Sequence, residues 1–114
     1  MVKDLDPVGV TRAALPVAIL AALHPQPAHG YALIELLSTR GFPDLKGGTL
    51  YPILARLEQQ ALVRSAWDHS QPGPGRKMFT TTDEGDLLLD AATQAWQDMG
   101  HNLKHLSTRG RHDS

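Results

Sequence analysis

The sequence of 114 residues contains no cysteine, few aromatic residues and no long apolar segment. The absence of cysteine excludes disulfides, thiolate nucleophiles and cysteine-based zinc sites. The longest apolar run, residues 13–23, is too short to cross a bilayer, which needs about 20 helical residues. The start of the chain does not read as a signal peptide either, because Lys3 is followed at once by Asp4 and Asp6. We therefore expect a cytoplasmic protein of one domain without a cofactor.

A large net charge is also missing, since 11 basic residues oppose 12 acidic ones and give a formal net charge of −1. Near-neutrality argues against a nucleic-acid-binding protein, whose binding surface is usually basic. The charge is unevenly distributed, however. Residues 1–40 balance, residues 41–82 carry five basic and three acidic side chains, and residues 83–114 carry three basic and six acidic ones. The near-neutral total therefore combines a basic middle segment with an acidic end.

Apolar periodicity predicts three short helices in the first half of the chain. Apolar residues spaced three and four apart indicate helices at about 12–24, 29–40 and 49–60. Proline is tolerated only near the first turn of a helix, so Pro16 predicts that the first helix begins between residues 12 and 16. Gly41 is expected to end the second helix, and Thr49 to be the N-cap or a first-turn residue of the third.

The pattern changes after the third helix. Residues 62–68 and 76–82 have the composition of strands, and the proline- and glycine-rich loop between them predicts a β-hairpin with a mobile tip. A long helix is predicted from 83 to about 106, with Thr81 and Glu84 at the spacing of a capping box. Residues 107–114 are polar and predict a flexible tail. The fold class expected is mainly α with a small β-hairpin.

Three short helices followed by a hairpin describe a winged helix-turn-helix, here residues 1–82, whose third helix enters the major groove of DNA. That helix starts with Gly47-Gly48-Thr49-Leu50-Tyr51-Pro52. Main-chain amides at a helix N-terminus, beside the hydroxyls of Thr49 and Tyr51, suit phosphate oxygens. The alternative is ordinary capping, with Tyr51 as a packing residue. Arg76 and Lys77 place two positive charges on the hairpin, or wing; the alternative there is a solvated face.

Five motifs, in order along the chain, resemble the PadR family of transcriptional regulators. They are His29-Gly30-Tyr31, Gly48-Thr49-Leu50-Tyr51-Pro52, Leu54 to Glu58, Gly75-Arg76-Lys77 and Thr82-Asp83-Glu84-Gly85. The resemblance covers roughly residues 13–105. It implies a homodimeric winged-helix repressor that binds double-stranded DNA and whose C-terminal helix, residues 83–106, forms the dimer. No arrangement of catalytic residues accompanies these motifs, so we predict a regulator and not an enzyme.

The resemblance also implies which residues contact DNA. These are Tyr31, Gly48, Thr49, Tyr51, Pro52, Arg56, Arg76 and Lys77. Two positions depart from the family pattern. Ala61 stands where the family commonly has glycine, so a left-handed backbone there would be strained by about 1 kcal/mol, and Thr81 replaces a usual leucine. Neither departure lies among the DNA-binding residues.

The long helix carries an apolar strip with nearly heptad spacing. Its members are Leu88, Ala92, Ala95, Met99, Leu103 and Leu106. Such a strip packs either on its own domain or on a partner helix, and we favour the partner because a chain of this length has little core left for it to cover. Dimerisation would set two recognition helices roughly 34–36 Å apart, which predicts a pseudo-palindromic operator.

Trp96 borders this strip and admits two interpretations. It is either an apolar residue of the dimer core or, as in multidrug-responsive members of the resembled family, a platform for flat aromatic effectors near Leu88, Ala92 and Met99. The acidic residues of the helix would favour a cationic effector; otherwise they are only solvated surface and helix N-terminal charge.

Two alternative functions stay open. His101 and His105 stand four residues apart on the long helix, a spacing that binds metal only if a further ligand joins. That pair would make a metal-responsive regulator, and otherwise it is polar helix surface. The alternative from another class is a helical module that binds protein and uses the wing as a contact loop.

Overall fold

The computed structural model describes residues 9–109. In chain order its elements are α1 (Val10–Leu23), β1 (Ala28–His29), α2 (Gly30–Ser38), α3 (Gly47–Gln59), β2 (Val63–Asp68), β3 (Arg76–Thr81) and α4 (Asp83–Thr108). Mostly helical structure with one small antiparallel sheet confirms the predicted fold class. None of the helices between residues 9 and 109 combines the length and the apolar character needed to cross a bilayer.

α1 begins earlier than predicted and includes Pro16 in its interior. Gly9, with a left-handed φ of 78°, precedes the helix, and Pro16 is its seventh residue. The missing N–H of Pro16 deprives only the carbonyl of Arg12 of a helical donor, and Arg12 is exposed. The helix is held by its buried face, Leu15, Ile19, Leu20 and Leu23. The predicted start between 12 and 16 is therefore wrong, because one lost hydrogen bond at the surface does not end a well-packed helix.

α2 and α3 differ from the predicted limits by one or two residues at each end. His29 is the N-cap of α2 and has an extended backbone, so the helix starts at residue 30. Gly41, with a φ of 107°, follows its end as predicted, and the amide of Phe42 donates to the Leu37 carbonyl (3.0 Å). Lys46 is the N-cap of α3, which makes Thr49 a first-turn residue.

α3 ends in a left-handed residue that is not glycine. Ala61 has a φ of 60°. Its amide donates to the carbonyl of Glu58 (3.0 Å), and the amide of Leu62 donates to the carbonyl of Leu57 (2.9 Å). These two bonds form the Schellman arrangement, which usually places glycine at this position. The strain anticipated for Ala61 is therefore present.

The sheet has three strands instead of the predicted hairpin alone. β2 and β3 pair antiparallel along their whole lengths, close to the predicted ranges 62–68 and 76–82. β1 pairs with the other edge of β3, with His29 opposite Met78, and gives the strand order β1-β3-β2. The sequence could not reveal β1, because two residues after Pro27 show no periodicity.

Thr82, and not Thr81, caps the N-terminus of α4. The Thr82 hydroxyl accepts a hydrogen bond from the amide of Gly85 (3.0 Å) and donates one to the carbonyl of Ala61 (2.6 Å). The predicted capping box of Thr81 and Glu84 is therefore wrong, because the hydroxyl that reaches both groups belongs to the next residue. The cap also ties the start of α4 to the end of α3.

α4 continues beyond its predicted end at residue 106. Residues 107 and 108, predicted as the start of a flexible tail, belong to the helix. The Ser107 hydroxyl donates to the carbonyl of Lys104 (2.8 Å), and the Thr108 hydroxyl donates to the carbonyl of His105 (3.1 Å). The second bond reaches one of the last four carbonyls of the helix, which have no amide partner within it. The rest of the predicted tail, 110–114, lies outside the described residues.

One apolar core joins α1, α2, α3, the sheet and the start of α4. Its members are Leu15, Ile19, Leu20, Leu23, Leu33, Leu37, Leu45, Leu50, Leu54, Leu57, Val63, Phe79 and Leu89. Leu89 is the last residue of α4 in this core, and every residue from 93 to 109 is exposed. The second half of α4 therefore projects from the winged domain.

Candidate nucleic-acid interface

The first two turns of α3 are exposed to solvent on one side. The exposed residues are Gly48, Thr49, Tyr51 and Pro52. Lys46 supplies no side-chain cap. The amide of Thr49 donates to the carbonyl of Lys46 (3.0 Å), whereas the amides of Gly47 and Gly48 precede the first helical acceptor. The start of α3 therefore presents main-chain donors beside the hydroxyls of Thr49 and Tyr51.

Tyr51 folds back over the start of α2. A Cβ at buried Gly30 would lie 2.6 Å from the Cζ of Tyr51, so a larger residue there would displace the Tyr51 ring. A Cβ at Gly47 would lie 3.4 Å from the same ring. Tyr51 therefore packs on the start of α2, and its side chain is still 49% exposed. Tyr31, in the first turn of α2, is 67% exposed.

The outward face of α3 extends to its C-terminal end. Arg56 is exposed in the last turn. Ala55 and Gln59 are also exposed, and the helical repeat places them on the same side as Pro52. Neither was among the predicted site residues, although the same repeat would have identified them. The exposed face of α3 is therefore one continuous surface about three turns long.

His29 connects the wing to the start of α2. Its Nδ1 lies 3.1 Å from the main-chain oxygen of Lys77, and its Nε2 lies 3.3 Å from a carboxylate oxygen of Asp68. The sequence identified His29 only as the N-terminal residue of the second helix. No local pattern could show that it contacts a strand 48 residues further along the chain.

Asp68 is kept ionised by its neighbours. A hydrogen bond from the amide of Ser70 (3.0 Å) lowers the pKa of the Asp68 carboxyl below its usual value, and the positive charges of His29 and Arg76 act in the same direction. Arg76 is the cross-strand partner of Asp68. Arg76 and Lys77 are both exposed, so the base of the wing presents two cations to solvent.

Three separate segments meet around residues 29 and 30. Tyr51 brings the start of α3 onto Gly30, and His29 brings the wing onto the same end of α2. The structure thereby brings together most of the predicted DNA-binding residues, namely Tyr31, Gly48, Thr49, Tyr51, Pro52, Arg76 and Lys77. Arg56 lies further along the exposed face of α3.

The predicted apolar strip of α4 lies on the part that leaves the domain. Met99, Leu103 and Leu106 are each 56–60% exposed. Leu88 and Ala95 are exposed too, and Ala92 is partly buried. Large apolar side chains in a row on a projecting helix leave much apolar area in water within a single chain.

Trp96 lies beside this strip and is 40% exposed. Among the best-formed cavities within residues 9–109, none is lined by Trp96, Leu88, Ala92 or Met99. A pocket at this position would therefore need a second chain. Asp90 lies on the opposite side of α4 from the strip, since helical residues advance by about 100° each.

His101 and His105 stack on one another, with ring centroids 6.1 Å apart. The helical repeat places the pair on the side of α4 away from the apolar strip. In the part of the chain that the structure describes, no group of three or more His, Asp or Glu side chains is arranged to hold a metal ion. The pair alone supplies two ligands.

Comparisons with known proteins agree with this geometry. The profile of the family described as "Transcriptional regulator PadR-like family" matches residues 19–91. The chain is similar to the crystal structure of a PadR-family transcriptional regulator from Eggerthella lenta DSM 2243, with 34% identity, a TM-score of 0.81 and coverage of 90% of this chain and 88% of that chain. No curated protein matches the sequence significantly.

Two further solved structures are similar at lower identity. A PadR-like transcriptional regulator from Bacillus cereus strain ATCC 14579 has 28% identity and a TM-score of 0.75, over 83% of this chain and 92% of that chain. A Streptococcus transcriptional regulator has 28% identity and a TM-score of 0.77, over 86% of this chain and 96% of that chain.

Proposed function

Because this chain belongs to the PadR-like family of transcriptional regulators, we propose that it is a cytoplasmic repressor that binds a pseudo-palindromic operator as a homodimer and responds to a small-molecule effector. Members of the family are DNA-binding regulators and not enzymes. The observation that carries the proposal is the meeting of α3, the wing and the start of α2 around residues 29 and 30.

α3 is the recognition helix in this proposal. Its exposed face enters the major groove, with Arg56 directed at base edges and the hydroxyls of Tyr31, Thr49 and Tyr51 at phosphate oxygens. Gly48 supports this assignment. A Cβ there would meet no atom of the protein within 4 Å, so the fold itself does not require glycine, whereas close approach of a DNA backbone would.

The wing supplies phosphate contacts. Arg76 and Lys77 are adjacent, exposed and cationic, and a hairpin beside a recognition helix lies along the DNA backbone in winged-helix proteins. Phosphate contacts position a protein on DNA and carry no sequence information directly. The wing should therefore raise affinity for every DNA sequence, and α3 should select among sequences.

The homodimer is supported by the shape of the chain. Its radius of gyration is 17.5 Å, against about 13 Å for a compact chain of this length. The larger radius of gyration of this chain reflects the exposed half of α4, which projects from the winged domain. Packing the strip of one copy against that of a second copy would cover this surface and would give DNA two recognition helices.

The effector is proposed to bind between the two copies of α4. Trp96 offers an exposed aromatic surface beside the strip, which suits a flat aromatic ligand. The dimer can hold its two winged domains at a spacing that fits DNA or at one that does not. A ligand changes DNA affinity only if it binds these two forms of the dimer with different affinities.

The test is DNA binding by the Arg76→Ala/Lys77→Ala variant, measured by fluorescence anisotropy across a range of salt. The probe is the DNA upstream of the protein's own gene, with an unrelated duplex of equal length for comparison. A dimer of the variant lacks four phosphate contacts. The slope of log K against log salt should therefore be shallower by about 3 to 4, since each contact contributes about 0.9.

The matched control is Lys104→Ala/Arg109→Ala, which removes the same number of charges from α4 and its C-cap residue. It should keep the salt slope of the natural protein. Equal affinity and slope for the wing variant and the natural protein would rule out the wing assignment. Absence of salt-dependent DNA binding by the natural protein would instead favour the module that binds protein.

A further inference from the structure

His29 occupies a position where both nitrogens of its ring face oxygen atoms. Nδ1 lies 3.1 Å from the carbonyl oxygen of Lys77, and Nε2 lies 3.3 Å from a carboxylate oxygen of Asp68. A carbonyl and an ionised carboxylate can only accept hydrogen bonds. The Nδ1 contact has the geometry of a hydrogen bond, and the Nε2 contact is an ion pair, which attracts the Asp68 carboxylate only when the ring carries the charge of the imidazolium form.

The neutral ring can keep one of the two contacts. The Nδ1–H tautomer still donates to the Lys77 carbonyl, but it then turns the Nε2 lone pair towards the carboxylate of Asp68. Loss of the proton thus replaces an attraction with a repulsion at the β2 side of the wing. The contact on the β3 side survives.

Asp68 connects this proton to the loop at the tip of the wing. One of its carboxylate oxygens faces His29, and the other accepts the amide of Ser70, the second residue of that loop. The side chains of His29 and Asp68 are only 17% and 21% exposed, so water competes weakly for the contact. One carboxylate therefore holds both the loop and the end of α2.

We propose that His29 is a positioning residue for DNA binding, and that in its doubly protonated form it fixes the wing against the start of α2. The inference rests on the proposed DNA-binding function. Its consequence is that the wing is held firmly below the titration range of histidine, which lies between pH 5 and 8. As the pH rises through that range the wing loosens, and DNA affinity falls.

Other charged and titratable groups lie close to this contact. Arg76 of β3 pairs across the strands with Asp68 and competes with His29 for its carboxylate, and His69 follows Asp68 in the wing loop. The ring of Tyr51 of α3 lies against Gly30, the residue after His29. DNA phosphates near the wing would add negative charge and stabilise the imidazolium, so DNA binding and proton uptake at His29 should reinforce each other.

The first measurement needs no DNA. In nitrogen-15 NMR of the full chain, both ring nitrogens of His29 should be protonated at low pH, and the neutral ring at high pH should be the Nδ1–H tautomer. The tautomer is set by the hydrogen bond that the ring makes. Amide signals of residues 63–81 should shift with the same titration. A neutral Nε2–H tautomer, or wing signals that do not follow His29, would overturn the inference even if DNA binds.

The second measurement compares the pH dependence of DNA affinity between pH 6 and 8. His29→Asn keeps an amide donor near the Lys77 carbonyl but cannot be charged. The natural protein should lose about two- to fivefold more affinity over this range than His29→Asn, the effect expected for one partly exposed ion pair. Asp68→Asn should remove the same part of the pH dependence as His29→Asn does. The double variant His29→Asn/Asp68→Asn should remove no more of it than either single variant.

His24→Asn is the matched control, because His24 also pairs with an aspartate, Asp86 at 2.9 Å, but between α1 and α4. It should retain the pH dependence of the natural protein. An unchanged pH dependence in His29→Asn would contradict the inference. If the natural protein binds DNA at no pH, the proposed function fails, and the NMR titration still decides whether His29 holds the wing.

Discussion

Gly30 and Gly85 are required by close contacts with residues distant in the sequence. A Cβ at Gly30 would overlap the ring of Tyr51, and a Cβ at Gly85 would lie 3.1 Å from the carbonyl carbon of Leu62. Neither glycine has a positive φ, so the requirement is space and not backbone conformation. The two glycines mark the places where α3 meets α2 and where α4 meets the segment before β2.

Ala61 is the converse case, a position whose backbone favours glycine. Its φ of 60° costs an L-residue other than glycine about 1–2 kcal/mol. Ala61→Gly removes this strain but adds chain entropy to the unfolded state, about 0.5–1 kcal/mol. We expect a net increase of about 0.5–1 kcal/mol in the free energy of unfolding, measured by urea denaturation.

Ala55→Gly is the control for that substitution. Ala55 is exposed inside α3, where the backbone is helical and glycine costs about 1 kcal/mol. The two substitutions should therefore shift the urea midpoint in opposite directions. A loss of stability in Ala61→Gly equal to that in Ala55→Gly would show that residue 61 is unstrained.

At the scale of elements, α1 and α4 are joined by an ion pair at their ends. His24, the C-cap of α1, contacts Asp86 in the first turn of α4 at 2.9 Å. The hydrogen bond from His24 lowers the pKa of the Asp86 carboxyl below its usual value, and a hydrogen bond from Thr81 adds to this effect. The joint connects the end of α1 with the first turn of α4.

The lowered pKa of Asp86 sets the pH at which this joint is lost. A carboxyl with a lower pKa in the folded state stabilises the fold above its unfolded value, about 3.9, and loses that contribution as the pH falls through the folded value. Asp86→Asn should therefore unfold at a lower temperature than the natural protein at pH 7. The difference in melting temperature should shrink progressively as the pH falls below about 4.

Asp90→Asn serves as the reference for that experiment. Asp90 lies one turn further along α4 and takes part in neither of the ion pairs found in residues 9–109. At pH 7, Asp90→Asn should change the melting temperature less than Asp86→Asn does. If Asp86→Asn and Asp90→Asn behaved alike at every pH, the contact with His24 would not stabilise the fold.

The sequence predicted those elements whose signal is local and missed those that depend on distant contacts. Apolar repeats located α2 and α3 within two residues, because their buried faces follow the helical period. β1 and the ring contacts of His29 were missed, because they depend on the position of β3 nearly fifty residues away. The cap of α4 was predicted one residue too early for the same reason. Thr82 is the cap because its hydroxyl donates to the carbonyl of Ala61, which is distant in the sequence.

At the scale of the whole molecule, α4 starts in the packed winged domain and continues as a projecting helix. The winged domain contains the core, and the projecting half of α4 contains exposed apolar residues. The overall extents of 69 × 34 × 21 Å reflect this projection. If the strip pairs two copies, the direction in which α4 leaves each domain fixes the distance between the two recognition helices.

Met99→Glu tests this link between dimerisation and DNA binding. Met99 lies in the middle of the apolar strip, and the substitution should prevent burial of one side chain on each copy. At about 1.5–3 kcal/mol per buried side chain, the dimer dissociation constant should rise by at least about a hundredfold. Analytical ultracentrifugation measures this change, and operator affinity should fall with it, because a monomer offers one recognition helix.

Gln97→Glu adds the same charge to α4 but on the side away from the strip. It should sediment as the natural protein does and bind the operator equally well. Circular dichroism of both variants separates loss of the dimer from loss of the helix. A Met99→Glu chain that keeps its helix, remains dimeric and binds DNA normally would place the dimer contact elsewhere. The distance between recognition helices would then be set by a surface other than α4.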